Sequence, residues 1–272
     1  MAVPPAAAPP HRRLAAVASH VVGAAAGGDA TKAQIAVVGA GGWWARDWHC
    51  PGLQRHPEAD IAAIVEMDAA VREEMGAQYG CATFATLGDL IASDVSVDGV
   101  LISTPHRTHF ELGMQAISAG MNVLIEKPMT TTGEDAQTIV DAAKAAGKIF
   151  MVNTTANWRE QTKAAAAMVS DGKLGEIRHA QLHMGAPLMM LFDDASRGTW
   201  VDGVGKAGLN GFAWGQLSHI TSWLFKVTGL QPAEAFCMMQ ISGNSGADLS
   251  DAATVRCKNG ARTPPAQNTD PL

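Results

Sequence analysis

Charged residues are sparse in this chain, and Lys and Arg are not clustered in any part of it. Asp, Glu, Lys and Arg make up 17% of the 272 residues, and the formal net charge is −6. A nucleic-acid surface needs a dense stripe of Lys and Arg to neutralise phosphates, so we expect no nucleic-acid partner. No uninterrupted apolar run is long enough to span a bilayer, so we expect no membrane partner.

Cysteine is scarce as well. Cys50, Cys81, Cys237 and Cys257 lie far apart and form no CxxC pair. We therefore expect reduced thiols in a reducing compartment, which favours a cytoplasmic location. The hydrophobic fraction of 47% predicts a globular protein with room for one large or two modest domains.

Residues 1–33 differ in composition from the rest of the chain. They are rich in Ala, Pro and Gly, and no acidic residue precedes Asp29. Arg12 and Arg13 are followed by an apolar stretch, which is typical of an organelle transit segment or a weak secretory signal. The alternative is a disordered, low-complexity extension. All three interpretations place the segment outside the fold.

Residues 34–154 alternate short apolar runs with helical stretches. Such nearly continuous runs are typical of parallel strands that are buried on both faces. The alternation predicts right-handed βαβ units and therefore a doubly wound parallel sheet. The runs are QIAVVG, DIAAIVE, DGVLIS, NVLIE and KIFMVN.

Two helices of this region carry capping signals. Thr108 and Glu111 have the spacing of a capping box, and we expect the helix that they open to end at Gly120. Thr131 and Glu134 repeat the pattern, and Gly147 marks the end of that helix.

Residues 155–260 predict a smaller α+β domain with an incomplete antiparallel sheet. We expect helices within 160–175 and 214–229, separated by a strand at 176–185 and a glycine-rich loop at 193–210. Two further strands are predicted, within 233–243 and 251–260. So small a sheet leaves an exposed edge or face, which favours a homo-oligomer. Residues 261–272 have no core pattern, and we expect them to be disordered.

A glycine turn follows the first predicted strand. Gly39, Gly41 and Gly42 stand where glycines let the backbone approach a pyrophosphate. Glu66 closes the second strand, where a carboxylate accepts hydrogen bonds from both hydroxyls of a ribose and repels a 2′-phosphate. The pair predicts NAD rather than NADP. The alternative is a tight turn beside a surface acid.

Trp43 and Trp44 do not fit the usual turn. The GxGxxG pattern expects a small residue at Trp44, so either the helix begins at Ala45 after a turn one residue longer, or the packing differs. The two rings could shield the pyrophosphate or the mouth of the substrate site. Core packing is an equal alternative.

The remaining candidate site residues lie at the carboxyl ends of the predicted strands that follow the second one. Ligands of open parallel sheets bind at this edge of the sheet. Lys127, within Glu126–Pro128, lies in the predicted cleft. His106 and His109 resemble a metal pair, but His109 is better explained by the first turn of a helix, and we expect no metal. The candidate cofactor contacts from these strand ends are Thr104, Pro105, His109, Glu126, Lys127, Pro128 and Asn153.

Several motifs together resemble the Gfo/Idh/MocA family. They are the glycine turn with HCPGL, the block STPHRTHFELGMQAISAGMNVLIEKPM, GKLGEIRHAQ, and the helix containing SHITSWLFKVTG. The likeness covers nearly all of residues 34–260. It implies a Rossmann domain and a second domain whose open sheet often forms a dimer face. It also implies NAD(P)-dependent oxidation or reduction of a sugar, inositol or related polyol.

The resemblance assigns roles to individual residues. The family's motif lysine corresponds to Lys127, and its motif histidine corresponds to His219, which is implied as the general acid or base. Position alone also allows a structural histidine at His219. Trp158, Arg159, Gln216 and His219 are the candidate substrate contacts.

Two alternative functions remain. The family usually has an aspartate four residues before the histidine, where this chain has Gly215, and the chain ends soon after Gly260. These departures favour a nucleotide-binding but non-catalytic regulator, or a truncated gene product. A further alternative is a glycoside hydrolase that uses bound NAD for transient oxidation.

Overall fold

The computed structural model describes residues 32–194 and 211–261. The predictions for residues 1–31, for most of the glycine-rich loop (195–210) and for the tail (262–272) fall outside the described residues.

The first domain is built on a six-stranded parallel sheet, with strand order β3-β2-β1-β4-β5-β6. The predicted doubly wound sheet is confirmed. Neighbouring strands pair in parallel throughout. The strands are β1 (Ala33–Val38), β2 (Ala59–Val65), β3 (Ala82–Phe84), β4 (Gly99–Ile102), β5 (Asn122–Ile125) and β6 (Phe150–Val152).

The strand order places a crevice beside the end of β1. β1 lies between β2 and β4, so the connections leaving β1 and β4 run to opposite sides of the sheet. Val38, Val65 and Ile102 pair at the carboxyl edge, and Ile102 also pairs with Ile125. Ligands of doubly wound sheets bind in the crevice at such a switch point.

Helices cover both faces of the sheet and close two apolar clusters. Val100, Ile102 and Ile125 lie in one cluster together with Ile139. The other cluster contains Val37, Ile64 and Ala45. The α-helices of the described residues are α1 (Cys50–Arg55), α2 (Ala69–Tyr79), α3 (Leu87–Ile91), α4 (His109–Ser118), α5 (Gly133–Ala145), α6 (Glu160–Ser170), α7 (Met189–Phe192) and α8 (Ser218–Thr228).

The predicted capping boxes are wrong in detail. A 3₁₀ turn, His106–Thr108, precedes α4, so the backbone of Thr108 is already helical and its hydroxyl donates to the carbonyl of Pro105 instead of capping. At α5 the cap is Thr132, which accepts from the N–H of Asp135, one residue after the predicted pair. Both helices end as predicted, with Gly120 and Gly147 in the left-handed conformation.

The second domain contains α6–α8 and a two-stranded antiparallel sheet of β7 (Pro232–Ile241) and β8 (Asp248–Cys257). α8 packs against α6 and against the 3₁₀ turn Thr155–Trp158. The strand predicted at 176–185 is wrong, because these residues have only an isolated bridge position at His179. Alternating polarity does not make a strand unless a neighbouring strand completes its hydrogen bonds.

The four cysteines are free thiols, as predicted, and two of them are buried. Over residues 32–194 and 211–261, no helix combines the length and the apolar character that crossing a membrane requires.

Candidate active site

The glycine turn is closed against the ends of two other strands. Gly39 has a φ of 80°, and a Cβ there would lie 2.6 Å from Thr104 Cγ2. The N–H of Gly41 donates to Glu66 Oε2 at 2.8 Å, and a Cβ on Gly41 would lie 2.9 Å from the same oxygen. The positive φ of Gly39 therefore requires glycine, whereas a methyl group at Gly41 would displace the carboxylate of Glu66. The turn and Glu66 form one unit, as a cradle for a nucleotide requires.

Only some N–H groups of this turn face outward. The N–H of Gly39 donates to the carbonyl of Val65 at 2.9 Å, so this N–H is already paired within the sheet. The N–H of Gly42 points back to the carbonyl of Gly39 at 3.3 Å. A helix leaves the N–H groups of its first turn without a helical acceptor, and here that turn contains Trp43 and Trp44. These groups, rather than that of Gly39, are suited to an anion.

The helix after the turn begins at Trp43, and not at Ala45 as one alternative predicted. Residues 43–55 are continuously helical, with a π-helical segment Ala45–His49 before α1. Ala45 is fully buried, so it provides the close packing that the pattern expects at Trp44. π-Helical segments are rare and frequently lie at functional sites.

The tryptophans form an aromatic cluster on this helix. The ring of Trp44 lies 4.9 Å from Trp43, 5.7 Å from Trp48 and 6.5 Å from the imidazole of His49, as centroid distances. Trp43 and Trp48 are more than half exposed. The cluster is therefore not core, and it borders the crevice on the side of His49.

Glu126 is held by three donors. Its Oε1 accepts from His49 Nε2 at 2.7 Å and from Asn153 Nδ2 at 2.6 Å, and its Oε2 accepts from the N–H of Lys127 at 3.1 Å. Burial would raise the pKa of this carboxyl, but the hydrogen bonds from His49 and Asn153 outweigh it, and the pKa is lowered. Glu126 is thus a buried carboxylate that joins the π segment to the ends of β5 and β6.

Lys127 reaches from the sheet to the second domain. Its Nζ donates to the carbonyl of Gly215 at 2.9 Å, within the π-helical segment Ala213–Leu217 that leads into α8. Burial lowers the pKa of this ammonium, and the charge of Glu126 opposes the shift. A lysine with a lowered pKa donates and returns a proton more readily than an exposed one.

His109 lies between two backbone carbonyl groups at the carboxyl edge of the sheet. The side chain is fully buried, with Nδ1 2.8 Å from the carbonyl oxygen of Pro128 and Nε2 2.9 Å from that of Thr104. Burial lowers its pKa, and the two carbonyl groups oppose that effect. His109 therefore connects the segments that follow β4 and β5.

His219 lies at the start of α8 and is half-buried. Burial lowers its pKa, the charge of Lys127 lowers it further, and Arg159 adds a smaller effect in the same direction. Trp158 and Arg159 are exposed beside α8, whereas Gln216 is buried. The structure thus gathers Lys127, Glu126, Arg159 and His219 within electrostatic reach of one another.

His106 and His109 are neighbours, with ring centroids 5.7 Å apart. Burial lowers the pKa of His106 to about 3, with smaller contributions from His109 and Lys127. Among residues 32–194 and 211–261, no three His, Cys, Asp or Glu side chains are grouped so that they could hold a metal ion.

His49 is the site residue that sequence reasoning missed. It lies ten residues after Gly39 in a helix whose π geometry no pattern predicted. The available signal was a histidine directly before the CPGL segment, close to a nucleotide-type turn.

Comparison with known proteins agrees with this geometry. Residues 33–154 match the family model GFO_IDH_MocA, described as an oxidoreductase family with an NAD-binding Rossmann fold. The uncharacterized oxidoreductase YdgJ of Escherichia coli (strain K12) is 25% identical over 150 residues, which cover 55% of this chain and 42% of the relative. The scyllo-inositol 2-dehydrogenase (NADP(+)) IolW of Bacillus subtilis (strain 168) is 33% identical over 135 residues, which cover 50% of this chain and 37% of the relative.

A solved structure extends the likeness in fold. The WlbA dehydrogenase from Bordetella pertussis, crystallised with NADH and UDP-GlcNAcA, superposes with a TM-score of 0.72 at 21% identity, over 86% of this chain and 66% of that chain. The alignments with the two curated relatives span only about two fifths of the relatives' length. The family match concerns residues 33–154, less than half of the chain, and describes an NAD-binding Rossmann fold there.

Proposed function

We propose that this protein is an NAD-dependent oxidoreductase acting on a hydroxyl carbon of a sugar, an inositol or a related polyol. The observation that carries the proposal is the hydrogen bond from Lys127 Nζ to the carbonyl of Gly215. It brings the lysine at the carboxyl edge of the sheet to the segment that leads into His219. A relative, the enzyme of Bacillus subtilis, has scyllo-inositol in its name, which supports the polyol class.

The first domain provides the groups that would hold the coenzyme. Glu66 would accept hydrogen bonds from the adenosine ribose, and the helix N-terminus at Trp43 and Trp44 would receive the diphosphate. The carboxylate of Glu66 disfavours a 2′-phosphate, which supports NAD over NADP. When bound, NAD⁺ supplies the hydride acceptor, the nicotinamide C4.

The protein's own residues handle the proton. In the oxidation direction, the neutral imidazole of His219 accepts the hydroxyl proton of the substrate, and its lowered pKa keeps it neutral at neutral pH. The ammonium of Lys127 donates a hydrogen bond to the same oxygen and stabilises the charge that develops there. Gln216 and Arg159 are the proposed contacts to further hydroxyl groups.

A polyol panel tests the proposal. Purified protein is incubated with NAD⁺ and sugars, inositols or linear polyols, and absorbance at 340 nm is followed. We expect turnover with at least one compound and a loss of about 10²–10⁴-fold in kcat for Lys127→Met or His219→Asn. Lys144→Met removes an exposed lysine of α5 and should leave kcat unchanged.

The outcomes separate the alternatives. Binding of NADH without turnover of any compound would favour a non-catalytic nucleotide-binding protein. Release of a sugar without net NADH would favour a glycoside hydrolase. Either result would contradict the proposed net oxidation.

We also propose that a second copy of the chain covers the β7–β8 sheet. Phe236, Met238, Met239 and Ile241 on β7 are each at least half exposed. Phe236 and Met238 lie on one face of the sheet and Met239 and Ile241 on the other, so each face has exposed apolar side chains, which are typical of an interaction face. Light scattering coupled to size exclusion should report a dimer that Phe236→Lys weakens, and a monomer at all concentrations would contradict it.

A further inference from the structure

We propose that His49 is a positioning residue for the reaction, because it clamps the carboxylate of Glu126 beside Lys127. This inference rests on the proposed function. Nothing in the family match assigns a role to His49, since that match concerns the domain as a whole.

The clamp joins three separate parts of the fold. His49 ends the π segment after the glycine turn, Asn153 follows β6, and Glu126 follows β5. The two side chains both reach Glu126 Oε1, while Oε2 receives the backbone N–H of Lys127. All three donors restrain the carboxylate, so its direction relative to Lys127 is defined.

Of the three donors, His49 is the one that belongs to the helix following the glycine turn, where the coenzyme would bind. Its imidazole lies against the ring of Trp44, and its side chain is 13% exposed, against 10% for Glu126. A hydrogen bond shielded from water in this way is stronger than an exposed one. Through His49, the helix that would receive the diphosphate is therefore tied to the residue next to Lys127.

The orientation of Glu126 affects the charge balance of the whole site. The negative charge of Glu126 favours the charged forms of Lys127, His106, His109 and His219. Arg159 and Lys127 are the positive charges that act on His219 in the opposite direction. A carboxylate that turned toward Lys127 would accept a hydrogen bond from the ammonium and draw it away from the substrate oxygen that it is proposed to stabilise. The clamp prevents that turn.

A pair of amide variants tests the clamp. The side-chain nitrogen of Gln reaches about as far from the backbone as imidazole Nε2, whereas that of Asn is one methylene shorter. We expect His49→Asn to raise the pKa of Glu126 by about one unit, and His49→Gln by less than half of that. The pKa is followed by ¹³C NMR of the glutamate carboxyl groups, with Glu126→Gln for assignment. His56→Gln, on the exposed end of α1, is the matched control and should cause no shift.

Kinetics complete the test. His49→Asn should lower kcat about tenfold with an unchanged KM for NAD⁺, and His49→Gln should recover most of the loss. Equal pKa shifts in the two variants, no shift in either, or an unchanged kcat in His49→Asn would each overturn the proposal. Turnover by the wild type tests the proposed function, whereas the NMR titration tests the clamp without requiring turnover. Failure of the proposed function can therefore be distinguished from failure of the clamp.

Discussion

The N–H of Gly41 donates a hydrogen bond to Oε2 of Glu66 at 2.8 Å, across 25 positions of the chain. The second oxygen of Glu66 accepts from the N–H of Asp68 at 3.1 Å. The protein thus holds the carboxylate in place before any ligand arrives. A preorganised acceptor loses little entropy when it binds a ribose. Substitution of Glu66 is therefore a direct test of the choice between NADH and NADPH.

Glu66→Ala should weaken NADH binding and remove the preference against NADPH. Hydrogen bonds to a charged group contribute about 1.5–3 kcal/mol each, so we expect the Kd for NADH to rise at least about tenfold. The Kd for NADPH should change less, because the repulsion of the 2′-phosphate disappears together with the hydrogen bonds. Calorimetric titration of both coenzymes measures the ratio. Glu58→Ala, an exposed acid just before β2, is the control, and tight NADPH binding by the wild type would contradict the prediction.

Gly41→Ala should disturb the contact between the glycine turn and Glu66 by changing the turn instead of the carboxylate. The new methyl group would lie 2.9 Å from Glu66 Oε2 and 3.1 Å from Val71 Cγ1, so the carboxylate must move. We expect the Kd for NADH to rise about tenfold, which corresponds to about 1.4 kcal/mol.

Gly52→Ala is the matched control for that substitution. Gly52 is an exposed residue of α1, and a Cβ there would meet nothing within 4 Å. It should leave the Kd unchanged and raise the free energy of unfolding by about 0.5–1 kcal/mol, because alanine favours a helix over glycine. Equal effects of the two variants on NADH affinity would show that Gly41 has no special role.

Much of the first domain could be predicted from the sequence. Five of its six strands are nearly continuous apolar runs, which are typical of a parallel sheet buried on both faces. β3 was missed because Ala82–Phe84 is a three-residue edge strand with no such run. Thr131 and Thr132 each have an acidic residue three positions later, so spacing could not decide which of them caps α5.

The site was only partly predictable. The end of a predicted strand indicated Lys127, and the family resemblance indicated His219. The contact of Lys127 with Gly215 could not be predicted, because it depends on a π-helical segment that has no pattern in the sequence. The partners of Glu126 come from two distant elements, so no local rule identifies them. The burial of His109 between two backbone carbonyl groups could not be predicted either, because position along the chain does not show burial.

His106 should make the protein less stable as the pH falls. Burial lowers its pKa to about 3 in the folded protein, whereas its ordinary value in an unfolded chain is about 6.5. The unfolded state therefore binds a proton that the folded state refuses, and stability present above pH 6.5 is lost progressively toward pH 3. Between pH 7 and pH 5 this histidine should account for a loss of about 2 kcal/mol.

Urea denaturation at the two pH values measures this contribution. His106→Gln cannot take up the proton, so its free energy of unfolding should fall by about 2 kcal/mol less than that of the wild type. The exposed His183 provides the control, since His183→Gln should keep the wild-type pH dependence. An identical pH dependence in His106→Gln and wild type would contradict the buried, neutral state of His106.

Gly113 of α4 and Ile139 of α5 form a tight helix contact whose energetics can be measured as a pair. A Cβ on Gly113 would lie 2.5 Å from Cδ1 of Ile139, while the next nearest atoms are 3.8 and 3.9 Å away. Gly113→Ala should therefore destabilise the protein by about 1–3 kcal/mol through overpacking. Ile139→Val, which removes that Cδ1 from a fully buried side chain, should cost about 0.5–1.5 kcal/mol.

The double variant should be more stable than the sum of the two changes predicts. With Cδ1 gone, the new methyl group has ordinary contacts with its remaining neighbours, and it fills part of the space that the valine leaves. Alanine is also favoured over glycine inside a helix by about 0.5–1 kcal/mol. Urea denaturation of all four proteins gives the coupling energy, which should exceed about 1 kcal/mol in favour of the double variant. Additivity within about 0.5 kcal/mol would mean that α4 and α5 move apart to accept the methyl group, so that the close approach of the helices is not enforced by Gly113.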